Sequence, residues 1–186
     1  NSNDITGTGN IDNVGTITTD GLTVAGNVSV DGGTIKLDGN YPTGSNNAAL
    51  GDQALSSGSL SGASNTAVGS LSLLSNTTGA DNTAMGLCSL RLNTTGGQNT
   101  AIGRKAMANN TEGANNTAVG RQAMVSNTTG NCNAAVGSQT LENNTTGSIN
   151  TAVGMIALAA NTTGNSNTAI GGLALCANTE GNSNTA

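Results

Sequence analysis

Residues 116–132 read NTAVGRQAMVSNTTGNC, and the seventeen before them, 99–115, read NTAIGRKAMANNTEGAN. The opening string recurs as NTAVG at 65–69, NTAMG at 82–86, NAAVG at 133–137, NTAVG at 150–154 and NTAIG at 167–171, always in steps of 17. A looser first copy, NAALG at 47–51, precedes the series by 18 residues. A second string, NTTG or NTEG, sits at one offset in every full copy, from 76–79 through to 178–181. Such a short fixed period marks a repeat architecture, in which each unit buries its apolar residues against its neighbours.

With each coil numbered from its first Asn, column 1 is Asn and column 3 is Ala in all nine starts. Column 5 is always Gly, column 4 is aliphatic or Met, and column 9 is Leu or Met. Columns 4 and 9 are therefore the expected core. In chain order they are Val68 and Leu73, Met85 and Leu90, Ile102 and Met107, Val119 and Met124, Val136 and Leu141, Val153 and Leu158, and Ile170 and Leu175. Columns 6, 7, 10, 11, 16 and 17 vary freely, as solvated positions do.

Seventeen residues are too few for a helical hairpin repeat, which takes about 34. Glycine at columns 5 and 15 would also cost a helix about 1 kcal/mol apiece relative to Ala. The expectation is all-β: a parallel β-roll or β-solenoid with two short strands per coil, each closed by a glycine turn. The column-15 glycines Gly79, Gly96, Gly113, Gly130, Gly147, Gly164 and Gly181 follow Asn-Thr-Thr or Asn-Thr-Glu, a setting that suits positive φ. Coils stack about 4.8 Å apart, so eight give a rod of roughly 40 Å. Stacking sets identical residues above one another, and the Asn amides are expected to bond in ladders. The Asn-x-Ser/Thr sequons are accordingly read as structural rather than as glycan acceptors.

The chain holds a single aromatic residue, Tyr41, which excludes a thick core built on large rings. Two aliphatics per coil make a thin interior. The invariant column-3 Ala reads as a small-residue stripe that a neighbouring chain approaches closely, and three chains about an axis would bury it. A parallel homotrimer is the expected assembly. Residues 1–46 carry a net charge of −4 and residues 47–186 carry −1, so neither part offers the basic surface of a nucleic-acid binder. No run of about 18 apolar residues exists, and no membrane insertion is expected. The chain opens at Asn1 and stops three residues into a new coil, at Ala186, which reads as a piece of a longer protein.

Before the coils the pattern differs. Aliphatic pairs Leu22/Val24, Val28/Val30 and Ile35/Leu37 alternate with Gly or Asp-Gly, which predicts short strands that need interleaving with two other copies. The division is thus a strand shaft at 1–40, a joint at 41–46 and a β-roll of about eight coils at 47–186.

The segment GTIKLDGNYPTG (33–44), the NAALGDQAL that follows at 47–55 and the NTAxGxxALxxNTTG coils resemble tail-fibre proteins of tailed bacteriophages, particularly those infecting marine cyanobacteria. The coil is also similar to the head repeat of trimeric autotransporter adhesins, although that coil is a few residues shorter and its turns must differ. The resemblance implies a homotrimeric fibre on the virion, assembled in the host cytoplasm. Its implied partners are other virion tail proteins and a host cell-surface polysaccharide or protein. A bacterial adhesin head is the alternative.

No histidine is present, so a Ser-His-Asp or Cys-His set is impossible and most zinc sites lose their usual ligand. No catalytic residue, metal or cofactor is expected. Cys88, Cys132 and Cys176 fall in columns 7, 17 and 10, cannot stack, and read as free thiols. Arg104 and Arg121 share column 6 in adjacent coils with Lys105 beside the first, a candidate receptor-contact belt that competes with plain solvated charge. Thr columns 2 and 13 raise a third class, an ice-binding β-solenoid. Against it, columns 2 and 4 of a strand share a side, which predicts that the column-2 threonines turn inward beside the column-4 aliphatics.

Overall fold

The computed structural model describes residues 45–186; the shaft at 1–40 and all but the end of the joint at 41–46 lie outside the described residues. Eight three-residue strands occupy columns 2–4: β1 (Ala48–Leu50), β2 (Thr66–Val68), β3 (Thr83–Met85), β4 (Thr100–Ile102), β5 (Thr117–Val119), β6 (Ala134–Val136), β7 (Thr151–Val153) and β8 (Thr168–Ile170). They form one parallel sheet in chain order. Each strand lies in register on the next, with Ala101 opposite Ala118 and Ile102 opposite Val119. The predicted all-β solenoid of 17-residue coils is what the chain forms, and no helix occurs among the described residues.

Each coil has one strand, not the two expected. Columns 6–17 return by turns, yet their amides still bond along the stack: Cys88 N–H donates to Ser70 O at 3.0 Å and Leu90 N–H to Ala106 O at 3.0 Å. The amides of Thr94, Thr95 and Gly96 all donate to one acceptor, Thr111 O, at 2.9, 3.1 and 3.3 Å. Thr94 Oγ1 adds a fourth donor at 3.0 Å. Columns 7, 9 and 17 reach their partners only by adopting the left-handed conformation, as Cys88 (φ 58), Leu90 (φ 48) and Gln98 (φ 59) illustrate. That conformation costs a non-glycine residue about 1–2 kcal/mol. Burying a Leu or Met contributes about 1.5–3 kcal/mol, so at column 9 burial prevails.

The interior differs from expectation in which columns fill it. Column 9 is buried as predicted: Leu73, Leu90, Met107, Met124, Leu141 and Leu158 are all at 0% exposure, and Leu175 packs half-buried against them. The strand residue that meets them is the column-3 alanine, with Ala67, Ala84, Ala101, Ala118, Ala135, Ala152 and Ala169 fully buried. The column-4 residues Val68, Met85, Ile102, Val119, Val136, Val153 and Ile170 lie on the opposite side of the sheet and take no part in this chain's core. The reason is steric. The coil is narrow, column 9 already occupies its centre, and only a methyl group fits on the strand facing it. Alternation along the strand then sends columns 2 and 4 outward.

Two asparagine ladders complete the interior. Column 1 is buried from Asn65 to Asn167 and column 12 from Asn76 to Asn161. In column 12, Asn110 Nδ2 donates to Asn93 Oδ1 at 2.8 Å, and Asn127 Nδ2 to Asn110 Oδ1 at 2.7 Å. In column 1, Asn116 Nδ2 and its backbone amide both donate to Asn99 Oδ1, at 3.2 and 3.0 Å. Both ladders converge on the column-15 carbonyl: Gly113 O accepts from Asn110 Nδ2 at 2.9 Å and from Asn99 Nδ2 at 2.8 Å. The expected ladders exist, and they double as the floor of the turn.

This geometry moves the positive φ foreseen for the column-15 glycines to column 5. Positive φ belongs to column 5, from Gly51 (φ 134) to Gly171 (φ 128). The column-15 residues Gly79, Gly96, Gly113, Gly130, Gly147, Gly164 and Gly181 are outside that region and are required for space instead. A Cβ on Gly130 would sit 2.5 Å from Asn127 Oδ1 and against the carbonyl oxygen of Gly147.

Candidate functional site

With columns 2 and 4 outward, the sheet presents one continuous face along the whole stack. Its column-4 row runs Leu50, Val68, Met85, Ile102, Val119, Val136, Val153 and Ile170, one aliphatic or Met above another in strict register. Exposure ranges up to 64% at Ile170 and 60% at Leu50, with Ile102, Val136 and Val153 near 40%. Beside it runs column 2, Thr in every strand but β1 and β6, where it is Ala. The threonines are half-buried or exposed, so the expectation that they point inward is wrong, although their sharing a side with column 4 is right. Leu87 and Met155 in column 6 extend the apolar surface, at 44% and 57% exposed.

No charged residue falls in columns 2 or 4 of any coil. The charges of residues 45–186 occupy columns 6, 7, 10, 14 and 17, as at Asp52, Lys105, Arg91, Glu112 and Asp81. Sequence reasoning placed this row in the core and so missed it as a surface. A signal was present: column 3 never departs from Ala, whereas column 4 passes through Leu, Val, Met and Ile. The interior of the coil resists such changes of volume, and column 4 lies outside it.

The candidate belt residues Arg104 and Arg121 are neighbours along the stack. Gln122 N–H donates to Arg104 O at 3.0 Å, which sets Arg104 and Arg121 on successive rungs, both exposed. Lys105 is half-buried in the left-handed conformation (φ 59). Only two of the eight coils contribute an Arg here, between Leu87 and Ser138 in the same column, so the feature is local rather than a stripe. The nearest acid in the following coil, Glu142, is engaged by Gln139 Nε2 at 3.0 and 3.2 Å.

Cys88 and Cys176 are half-buried and Cys132 exposed, all three as free thiols. Among the described residues, no three His, Cys, Asp or Glu side chains gather in a metal-binding group. Among them, too, no helix is long and apolar enough to cross a membrane. Comparison with protein-family models, curated proteins and solved structures gives no match.

Proposed function

We propose that this chain is a structural, non-enzymatic segment of a viral tail fibre, a parallel homotrimer that extends from the virion and supports or contributes to host attachment. Its partners are further copies of itself, other virion tail proteins and a host cell-surface polysaccharide or protein. The observation that carries this reading is the uniformity of the stack. Every step from β2 to β8 repeats the same register, the same ladders and the same left-handed positions. A repeat of this kind makes a spacer whose length is set by coil number.

The test is localisation and mass together. Antibodies raised against the chain should label the tails of virions, and gold on bacterial cell surfaces instead would support the adhesin-head reading. Light scattering should give three times the 18.0 kDa chain mass. A monomer in native buffer would refute the fibre reading.

One observation favours a second reading. The column-2 threonines stand on the outer face beside a flat aliphatic row, which removes the objection to ice binding. In a trimer that face is covered, so thermal hysteresis should be absent. A monomer with measurable hysteresis would make the chain an ice-binding solenoid.

A further inference from the structure

We propose that the outer face of the sheet, columns 2 and 4, is the surface on which copies of this chain meet, rung against rung. The proposal rests on the homotrimer of the fibre reading and deepens it by naming the contact. It also relocates that contact, because the column-3 alanines first assigned to it are buried inside their own chain.

Three observations point to a second copy as the occupant. The face is free of charge from β1 to β8, whereas the variable columns 6, 7, 10 and 17 each carry charge somewhere along the stack. No acidic or basic partner is therefore matched by it, and a lipid or polyanion would find no electrostatic anchor there. Next, the face has a period. Its aliphatic ridges recur at the spacing of parallel strands, about 4.8 Å, through eight rungs. A partner with any other period drifts out of step within a few rungs, whereas another copy meets every ridge at the same level. Three such faces turned toward a common axis would bring their ridges together level by level.

Area is the third consideration. Three residues by eight strands give a flat footprint of about 10 by 38 Å, or roughly 380 Å² before side-chain relief is counted. Stable complexes bury about 800 Å² per partner, of which the flat footprint supplies about half even at full length. Contact along all eight rungs, as between parallel copies sharing an axis, uses all of it. A crossed or partial contact uses less.

The full chain should be compared with a Val119→Asp, Val153→Asp double variant and a Thr129→Asp control. Thr129 is exposed in column 14, where Glu112 and Glu180 already occur. The wild type and the control should be trimeric by light scattering. The double variant should fall to single-chain mass with its β circular dichroism retained, because neither valine belongs to the chain's own core. A double variant that stays trimeric with an unchanged melting curve overturns the proposal while leaving the trimer intact. A monomeric wild type overturns the trimer itself. Oxidative cross-linking supplies an independent reading should the double variant not fold. Val119→Cys should give a disulfide-linked dimer band absent from both the wild type and Thr129→Cys; equal bands in all three would refute the face.

Discussion

At the scale of single residues, the backbone asks for unusual conformations and the side chains meet that demand unevenly. Column 17 holds Asp81 and Asn115, which accept the left-handed region with modest strain, and Ser, Gln or Cys, none of them β-branched, in all but one of the other coils. Ile149 is the exception, β-branched at φ 60 and 63% exposed, so its strain is offset by little burial. Replacing it with Asn should stabilise the chain by about 1 kcal/mol, since a left-handed residue with a crowded Cβ costs about that much. A denaturation midpoint equal to or below wild type would contradict this. The glycines differ in a similar way, one column having two causes and the other one. Gly103 has φ 132, and a Cβ there would lie 2.5 Å from Gly120 O; Gly130 lacks the positive φ but is closed in by Asn127 and Gly147. Both Gly103→Ala and Gly130→Ala should destabilise by several kcal/mol, because overpacking against backbone costs about 1–3 kcal/mol or more. Asn131→Val, one residue on, should cost at most about 1 kcal/mol, the worth of its exposed hydrogen bonds to Ala114 N and Thr129 O. Equal melting temperatures for Gly130→Ala and Asn131→Val would mean that the turn is not sterically closed.

At the scale of elements, the ladders are what distinguish this roll from a purely apolar one. Asn110 illustrates the bonding: it donates to Asn93 Oδ1 and Gly113 O and accepts from Asn127 Nδ2. Asn110→Leu leaves Asn93 Oδ1 buried without its donor and should cost about 1–3 kcal/mol. Asn110→Asp is more informative. The new carboxylate would face the acceptors Asn93 Oδ1 and Gly113 O, which disfavours its charged form and raises its folded-state pKa above the unfolded value. Such an acid is tolerated when protonated and destabilises as pH rises through the carboxylate range. The gap in melting temperature between variant and wild type should therefore narrow as the pH is lowered toward 3. A gap that widens on acidification would show that the ladder tolerates the anion. Leu158→Asp belongs to this scale too. It places a charge in the column of large apolar side chains inside the chain and should prevent folding, unlike the outward Val119→Asp.

At the scale of the whole molecule, stability and length are sums over coils, since each coil bonds only to the ones before and after it. Removing residues 116–132, one complete coil, joins Asn115 to Asn133 with every column preserved. That deletion should fold and associate, with a melting temperature only a few degrees lower. Removing residues 116–123 shifts all later columns by eight, sets Leu and Met against Asn ladders, and should leave residues 124–186 unable to stack on those before them. Circular dichroism and limited proteolysis distinguish the outcomes. If both deletions melt alike, stacking in register is not what holds the roll together. The association face shrinks with each coil removed, so trimer dissociation should move to higher concentration in the shorter chain.

Read from the sequence alone, the period of 17, the all-β class, the parallel stacking and the asparagine ladders follow directly, because a fixed repeat without helical spacing leaves identical residues with nowhere to go but above one another. The column-9 core was legible for the same reason, as a large apolar residue that recurs in every coil. What the tertiary structure alone decided was direction. Column 3 and column 4 are adjacent apolar positions on one strand, and alternation requires only that they face opposite sides, not which side is inside. The width of the coil settles it: with Leu or Met and two Asn already inside, the remaining space admits Ala101 and excludes Ile102. Likewise the pattern announced two glycines per coil but not their causes, since a positive φ joined to a crowded Cβ position at Gly103 and a crowded Cβ position alone at Gly130 impose the same residue. Conformation and packing both select glycine, and only coordinates separate them.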